Sequence, residues 1–591
     1  MRRRACACYL AILVVVCTAL PAKSQGFLKV DGKRIVDGSG QEVILRSMGL
    51  GGWMLQEPYM LQLAGVAIAQ YDIKRKIKDV IGKEKTEAFY AAWLANHCRK
   101  VDIDSLAAWG FNSVRLPMHY NLFTPSVEEE SVAGQNTWLP KGFALTDSLL
   151  SWCKANKIYL ILDLHAAPGA QGNDAPIADK DTTKPSLWQS EANQQKTIAL
   201  WRKLAERYAG EEWIGGYDLL NETNYGFLNP ADKNGCADTL NAPLKKLLND
   251  ITKAVREVDQ RHIIFVEGNC WANNYKGLLP FADSNTVVSF HKYWNYNDQA
   301  SIQGFINIRE QYNLPIWMGE SGENSNAWFA DAIQRLEQNK IGWAWWPLKK
   351  QGNNNPLQIK VNTGYQQLMA YWKGSGSKPD TAQAYQALMQ LAEDSKIENT
   401  VFHRDVIDAM FRQVHSTAII PFKAHVVNGS AVIYASDYDL GRSGYAYYDK
   451  DSANYRVATS KNVVWNKGRV YRNDGVDITV CNDSLTNGYN VNHTEDGEWL
   501  QYTITASKVG VYDIGFRTAA KDSIGQLQLT INDKNLHPVS LPVTGSEQNW
   551  VTTIMKNVPL AKGSNKLRVT VLRGGFGFNY IKLQPSRKNN K

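Results

Sequence analysis

Two glutamates stand out as residues that could do chemistry. Glu222 closes the mostly apolar run "YDLLNETN" (from Tyr217), and Glu320 sits in "PIWMGESGE" (from Pro315); both stretches read as buried strands that end on polar side chains. Carboxyls presented from two strand ends can face each other across a cleft. One, protonated, donates to a departing oxygen, while the other, ionised, attacks or activates water; glycosidic hydrolysis needs that arrangement. A lone glutamate is usually a solvated loop residue, but two at strand ends among aromatic and apolar neighbours point to function. Asn221, beside Glu222, offers an amide to a sugar hydroxyl. His291 and Tyr293 are two apart and share a strand face. The Tyr293 hydroxyl and the Arg115 guanidinium would hold Glu320 ionised and oriented, as a nucleophile requires. Asp218 lies deeper than the strand end, and Glu323 reads as a supporting or loop residue.

The elements that must position these groups follow from periodicity. Eight strand candidates begin at Ile44, Phe111, Ile158, Ile214, His262, Asn285, Pro315 and Gly342, separated by segments of helical period such as "QQKTIALWRKLAERYAG". Eight strands in series with crossover helices predict a closed (β/α)8 TIM barrel over 25–415. Catalytic residues of such barrels lie at the carboxyl ends of strands, and Arg115, His165, Asn221, Glu222, His291, Tyr293 and Glu320 cluster there. Trp343, Trp345 and Trp346 read mostly as core, with alternation leaving at least one able to reach the mouth. From about Ser416 helical period disappears. Short alternating runs such as "EWLQYTITA" and "KLRVTVLR" predict an all-β sandwich (jelly-roll) over 416–591, packed directly on the barrel because no Pro- or Ser-rich linker intervenes.

The 591 residues are too many for one ordinary core. The net charge is +9, and Arg2, Arg3, Arg4 and Lys23 belong to the first 24 residues, which read as a secretory signal peptide: a basic start, an apolar run from Tyr9 to Leu20, then small residues. A secreted protein is expected, extracellular, periplasmic or at the cell surface. No other apolar segment is long enough for a membrane span, and no dense basic stripe suggests nucleic acid. After the signal, Cys98, Cys153, Cys236, Cys270 and Cys481 are scattered and odd in number; they predict neither a zinc site nor a disulfide framework. No metal or cofactor is expected, and the partner is a polysaccharide or oligosaccharide.

The motifs "LRSMGLGGWMLQEPYM", "GFNSVRLP", "DLHAAPGAQG", "LLNETN", "SFHKYW", "GESG" and "GWAWWPLK", in that order, resemble glycoside hydrolase family 5 over Phe27 to His415, and its exo-β-1,3-glucanase branch most. The resemblance implies a retaining mechanism with Glu222 as acid/base and Glu320 as nucleophile. It also implies a sugar subsite lined by Arg115, His165, Asn221, His291, Tyr293 and Trp346, with Glu57 as a sugar-contacting carboxylate of that branch. The expected substrate is a β-glucan, β-1,3-linked and cleaved from an end; β-1,4-glucan, β-1,6-glucan and β-mannan are the alternatives, and a non-catalytic polysaccharide-binding scaffold is a further one. The stretch from Val426 to Gln584 resembles carbohydrate-binding module family 6. That family stacks a sugar between two aromatics anchored by an asparagine; His493, Trp550 and Asn579 occupy those positions. Trp499 is expected in the module core.

Overall fold

The computed structural model describes residues 26–587; the signal-peptide reading of the first 24 lies outside them. Eight parallel strands close into a barrel in chain order: β1 (Arg46–Gly49), β2 (Ser113–His119), β3 (Tyr159–Ala166), β4 (Ile214–Asp218), β5 (Ile264–Glu267), β6 (Thr286–Lys292), β7 (Ile316–Gly322) and β8 (Gly342–Trp346), with β8 pairing back onto β1. Each strand falls within or beside its predicted run. The fourth is shorter than expected: it ends at Asp218, so Asn221 and Glu222 stand on the turn beyond it.

Period-two alternation divides each strand between two environments. Leu160, Leu162 and Leu164 of β3 join the apolar layer shared with the helices, including Glu191–Tyr208 and Ala242–Arg256. The intervening residues Tyr159, Ile161, Asp163 and His165 take the other face. Tyr159 and Ile161 pack with Phe265, Val287, Trp317 and Ala344 into an apolar floor, which Leu28 and Ile35 close from the amino-terminal hairpin. Above that floor the same strands carry polar side chains. Asp163, His165, Ser289, His291 and Glu267 each sit two or four positions beyond a floor residue, so the barrel interior is apolar at its base and ionisable at its mouth.

The stretch from Tyr371 to Asp380 joins two helices, Thr363–Trp372 and Thr381–Asp394, whose apolar residues pack with Ile73, Ile77 and Trp93 outside the barrel. Beyond His415 the chain is all-β apart from single helical turns. One sheet centres on Trp499–Ala506, Gly563–Arg573 and Gly525–Ile531, the other on Gly577–Pro585, Gly510–Ala519 and Val551–Leu560, and they enclose a core that includes Tyr502, Phe516 and Leu567. Trp499 corrects the core expectation: it is half-buried at the sheet margin, and the Arg568 guanidinium lies 3.9 Å from its ring centre.

The two units meet directly. The Asn326 backbone N–H donates to the Asn473 carbonyl at 2.9 Å, and Asp405 Oδ2 accepts from Asn326 Nδ2 at 2.7 Å and from the Asn473 backbone N–H at 2.8 Å. All three residues are buried. Among the described residues no helix is long and apolar enough to cross a membrane.

Asp405 accepts one donor from each side of this seam; Asp405→Ala orphans the buried Asn473 N–H, while Asn326 Nδ2 keeps Asp474 Oδ1 at 3.1 Å. A loss of about 1–3 kcal/mol in denaturant-unfolding free energy is expected, the usual cost of one buried unsatisfied group; a change within experimental error would show that water replaces the carboxylate.

Candidate active site

Arg115 rises from β2 into the barrel and is fully buried. Its Nη1 donates to Glu320 Oε2 at 2.9 Å and its Nε to Asp218 Oδ2 at 3.0 Å. Nη2 donates to Asn221 Oδ1 at 2.9 Å and Glu267 Oε1 at 2.8 Å, with Asp163 Oδ1 at 3.3 Å. The planar fork of an arginine can meet several carboxylates at fixed angles, which a lysine cannot. One guanidinium therefore ties β2, β3, β4, β5 and β7 together at the mouth.

Glu320 reaches this network through a break in its own strand. Simple alternation from inward-facing Trp317 would turn Gly319 inward and Glu320 outward. The pairing of β7 shifts register between Met318 and Glu320 on the β6 side and between Met318 and Ser321 on the β8 side. Such a bulge inserts one residue and re-aims the next. Gly319 is what permits it, since a Cβ there would lie 2.1 Å from Ser289 Oγ. Glu320 then faces inward, with Oε1 accepting from the Tyr293 hydroxyl at 2.9 Å.

Glu222 is placed differently. It has a positive φ of 41°, an uncommon region for a residue with a side chain. Its backbone N–H donates to Glu267 Oε2 at 2.6 Å. Its Oε1 accepts from His291 Nδ1 at 2.7 Å, and His291 Nε2 lies 3.2 Å from Glu267 Oε1. One ligand atom each from Glu222, His291 and Glu320 lie within 4.8 Å of one another. That distance could also suit a cation, but Arg115 and His291 already supply positive charge there.

Asn221 and His165 orient each other. Because Asn221 Oδ1 accepts from Arg115, its Nδ2 must donate, and it faces His165 Nε2 at 3.3 Å. The ring proton of His165 therefore sits on Nδ1, 2.7 Å from Asp163 Oδ2. Burial lowers the His165 pKa to about 3, which keeps the ring neutral. The ring stacks on Trp346 with centres 5.1 Å apart and planes within 7°. Trp346 needs two glycines beneath it, because a Cβ at Gly51 would lie 2.5 Å from the indole and one at Gly49 2.8 Å. Its Nε1 donates to the Tyr59 hydroxyl at 2.9 Å.

Burial and like charge set the ionisation. Burial raises the pKa of Glu222; His291 opposes this without cancelling it. Burial likewise raises Glu320, with His291 and Arg115 opposing and Glu222 adding. Burial also acts to raise Glu267, but His291, Arg115 and the Glu222 N–H outweigh it and hold that carboxyl below its ordinary value. Burial would make His291 neutral, yet the Glu267 and Glu222 carboxylates hold it well above the usual histidine range. Glu57 has no such cation: burial, then Glu320, Glu323 and Glu222, push it well above the carboxylate range.

All seven strand-end residues named from the sequence, together with Glu57 and Trp346, converge on this mouth. Asp218 is deeper, as expected, and Glu323 is a supporting residue paired with Lys350 Nζ at 2.5 Å. Sequence reading missed Glu267, although "HIIFVEG" ends on it as the other strands end on their polar residues. It also missed Trp271. Cys270, Trp271 and Ala272 form a left-handed turn with φ of 56°, 53° and 61°, and a disulfide joins Cys270 to Cys236. That bond corrects the expectation of no disulfide framework, since residues 34 apart meet only through the fold. The Trp271 N–H donates to the Thr223 carbonyl at 3.1 Å and its indole Nε1 to Asp174 Oδ2 at 3.3 Å. Among the described residues its half-buried ring joins no apolar cluster.

The three module residues differ in exposure. His493 is exposed, whereas Trp550 is buried against Cys481 and Ala519. Asn579 is fully buried, and its amide donates to Asp483 Oδ2 and the Leu485 carbonyl, both at 2.9 Å. The 481–488 segment thus takes the Asn579 amide donors, while Asn579 Oδ1 has no protein partner.

Comparison with known proteins agrees with the barrel. The family model Cellulase (glycosyl hydrolase family 5) matches residues 75–352. Endoglucanase C of Acetivibrio thermocellus is 31% identical over 311 residues, which cover 42% of this chain and 83% of that protein. A beta-xylosidase of Phanerodontia chrysosporium is 27% identical over 381 residues, covering 58% and 75%. A probable glucan 1,3-beta-glucosidase A of Aspergillus clavatus is 24% identical over 297 residues, covering 49% and 63%. The chain belongs to glycosyl hydrolase family 5 and is a glycoside hydrolase. Its carboxyl-terminal part matches Carbohydrate binding module (family 35) over residues 472–583, which replaces the family 6 assignment suggested by the motifs.

Removing Arg115 leaves several buried carboxyls without their shared cation. Arg115→Ala is expected to lose about 3–5 kcal/mol of stability, the usual cost of stranding buried charge, and Arg115→Lys to recover only part of it. Urea unfolding measures this; a loss below about 1 kcal/mol, the scale of an exposed ion pair, would mean the cluster neutralises itself.

Proposed function

We propose that the protein is a secreted, retaining β-glycoside hydrolase that acts on a β-glucan, with Glu320 as nucleophile and Glu222 as acid/base. The observation that carries this reading is the carboxyl pair. Glu222 and Glu320 present oxygens within 4.8 Å, which supports the close spacing of retaining enzymes, about 5–5.5 Å between carboxyl groups, over the about 6.5–9.5 Å of inverting ones. The surroundings divide the two roles. Glu320 accepts from a guanidinium and a phenol, both of which favour its anion. Glu222 accepts no hydrogen bond from an arginine; its partner is His291 Nδ1 at 2.7 Å, and burial raises its pKa.

In the first step a Glu320 oxygen bonds to the anomeric carbon as the glycosidic C–O bond breaks, and Glu222 delivers its proton to the leaving oxygen. In the second step Glu222 takes a proton from water, whose oxygen displaces Glu320 and restores the β configuration. Asn221, His165 and Trp346 shape the subsite of the cleaved sugar. Glu57, kept neutral, can donate to a sugar hydroxyl, and the free face of Trp271 offers a stacking surface next to Glu222.

We take 1–24 as signal peptide, 25–415 as the catalytic barrel and 416–591 as the module. A β-1,3-glucan cut from its end is the preferred substrate. The loop after β3 supports that choice, because it is pinned across the mouth: His119 Nε2 lies 2.8 Å from Asp179 Oδ2, the Tyr71 N–H donates to Asp179 Oδ1 at 2.7 Å, and Trp271 holds Asp174. A loop fixed at several points walls one side of a cleft and admits a chain end.

Product analysis on β-1,3-, β-1,4- and β-1,6-glucan, mannan and xylan tests both levels, with Glu320→Gln as the blank. Glucose alone from β-1,3-glucan, released in the β form, is expected. The alkaline limb of kcat/KM should lie above the ordinary carboxylate range, because Glu222 with a raised pKa stays protonated to higher pH, and it should vanish in Glu222→Gln. Oligosaccharide products would indicate internal cleavage, and equal activity in the blank would refute the assignment of Glu320.

A further inference from the structure

The module reaches further into the barrel than an appended binding domain requires. Tyr293, whose hydroxyl holds Glu320, is followed by Trp294, a bulky residue with a φ of 46°. Such a backbone is strained for a bulky side chain and persists only where its surroundings enforce it. The barrel supplies one restraint: Trp294 Nε1 donates to the Glu323 carbonyl at 3.1 Å. The module supplies two more. The Val457 N–H donates to the Trp294 carbonyl at 3.0 Å, and the Arg456 guanidinium carbon lies 3.6 Å from the centre of the indole ring.

The segment that bears Arg456 is itself locked to the end of β7. Asn324, fully buried and two residues past that strand, donates through Nδ2 to the Asn454 carbonyl at 2.7 Å and accepts the Asn454 N–H on Oδ1 at 3.0 Å. Asn454 Oδ1 in turn accepts the Arg456 N–H at 3.0 Å. Asn473 Nδ2 donates to the Asn324 carbonyl at 2.8 Å. One module segment thus clasps the carboxyl ends of both strands that supply Glu320 and its tyrosine.

We propose that residues 454–457 of the module are a positioning part of the catalytic centre, with Arg456 acting through Trp294 to set the Tyr293 hydroxyl on Glu320. The proposal rests on the glycosidase reading for its kinetic consequence, while its structural half stands apart from it. Arg456 touches no reacting atom. It fixes the backbone of the residue after Tyr293, so its loss lets that hydroxyl wander from the nucleophile.

The test uses the full chain and compares Arg456→Ala, Arg456→Lys and Arg442→Ala. Arg442 pairs with Asp331 elsewhere on the same seam and serves as the control for general loosening. In Arg456→Ala kcat is expected to fall about 10-fold or more with KM little changed, since displaced catalytic groups cost rate rather than ground-state binding. Arg456→Lys should restore most of kcat by returning a cation to the indole face, and Arg442→Ala should leave kcat near the parent value. Hydrogen–deuterium exchange of the peptides around 293–296 and 320–324 should quicken in Arg456→Ala alone, and this readout holds even for a chain without activity. Unchanged kcat and exchange in Arg456→Ala would overturn the proposal. Equal losses in Arg456→Ala and Arg442→Ala would also overturn it, because they would reduce the effect to interface stability.

Discussion

The mouth of this barrel is organised by one buried guanidinium. Arg115 meets Asp163, Asp218, Glu267 and Glu320 within 3.3 Å, and burying so many acidic groups without a cation would cost several kcal/mol per charge. The network answers that cost by pairing. Burial raises Asp163 and Asp218 well above the carboxylate range, whereas Glu267, between Arg115 and His291, stays ionised. Glu267 then orients both sides of the site: one oxygen accepts from Arg115, which holds Glu320, and the other from the backbone of Glu222. The two facing carboxyls are coupled through a third that touches neither side chain.

Much of this could be read from the chain. Eight strand runs with helical crossovers specified the barrel, and polar residues at their carboxyl ends marked the mouth. The same rule would have found Glu267, since "VEG" ends its strand as "DLH" ends its own. Other features were hidden for physical reasons. Strict alternation from Trp317 turns Glu320 the wrong way, and only the register shift at Gly319, where Ser289 leaves no room for a Cβ, turns it inward. Glu222 stands past the end of β4 on a left-handed backbone, which no periodicity encodes. The Cys236–Cys270 bond depends on loops that meet in space.

The module shows the opposite balance. Alternating runs gave its sandwich architecture, but motif resemblance misplaced its family. Asn579 and Trp550 are held by their own domain, the first by Asp483 and the Leu485 carbonyl. Side-chain type at a matching position therefore said little about access, because one covering segment decides whether an aromatic or an amide meets solvent or protein. What the module does visibly is grip the barrel, through Asn324, Asn326, Asn353 and Trp294. Polar residues on both sides of that seam are buried and mutually satisfied, as in a domain interior rather than a transient contact.

Glu320, held by Arg115 and Tyr293, is proposed to form a covalent bond to the sugar. The most direct measurement is incubation of the intact protein with an activated 2-deoxy-2-fluoro-β-glucoside, followed by mass spectrometry of its proteolytic peptides. One added fluoroglucosyl group is expected on the peptide containing Glu320, absent in Glu320→Gln. A label on the Glu222 peptide, or turnover to an inverted product with no labelled peptide, would contradict it.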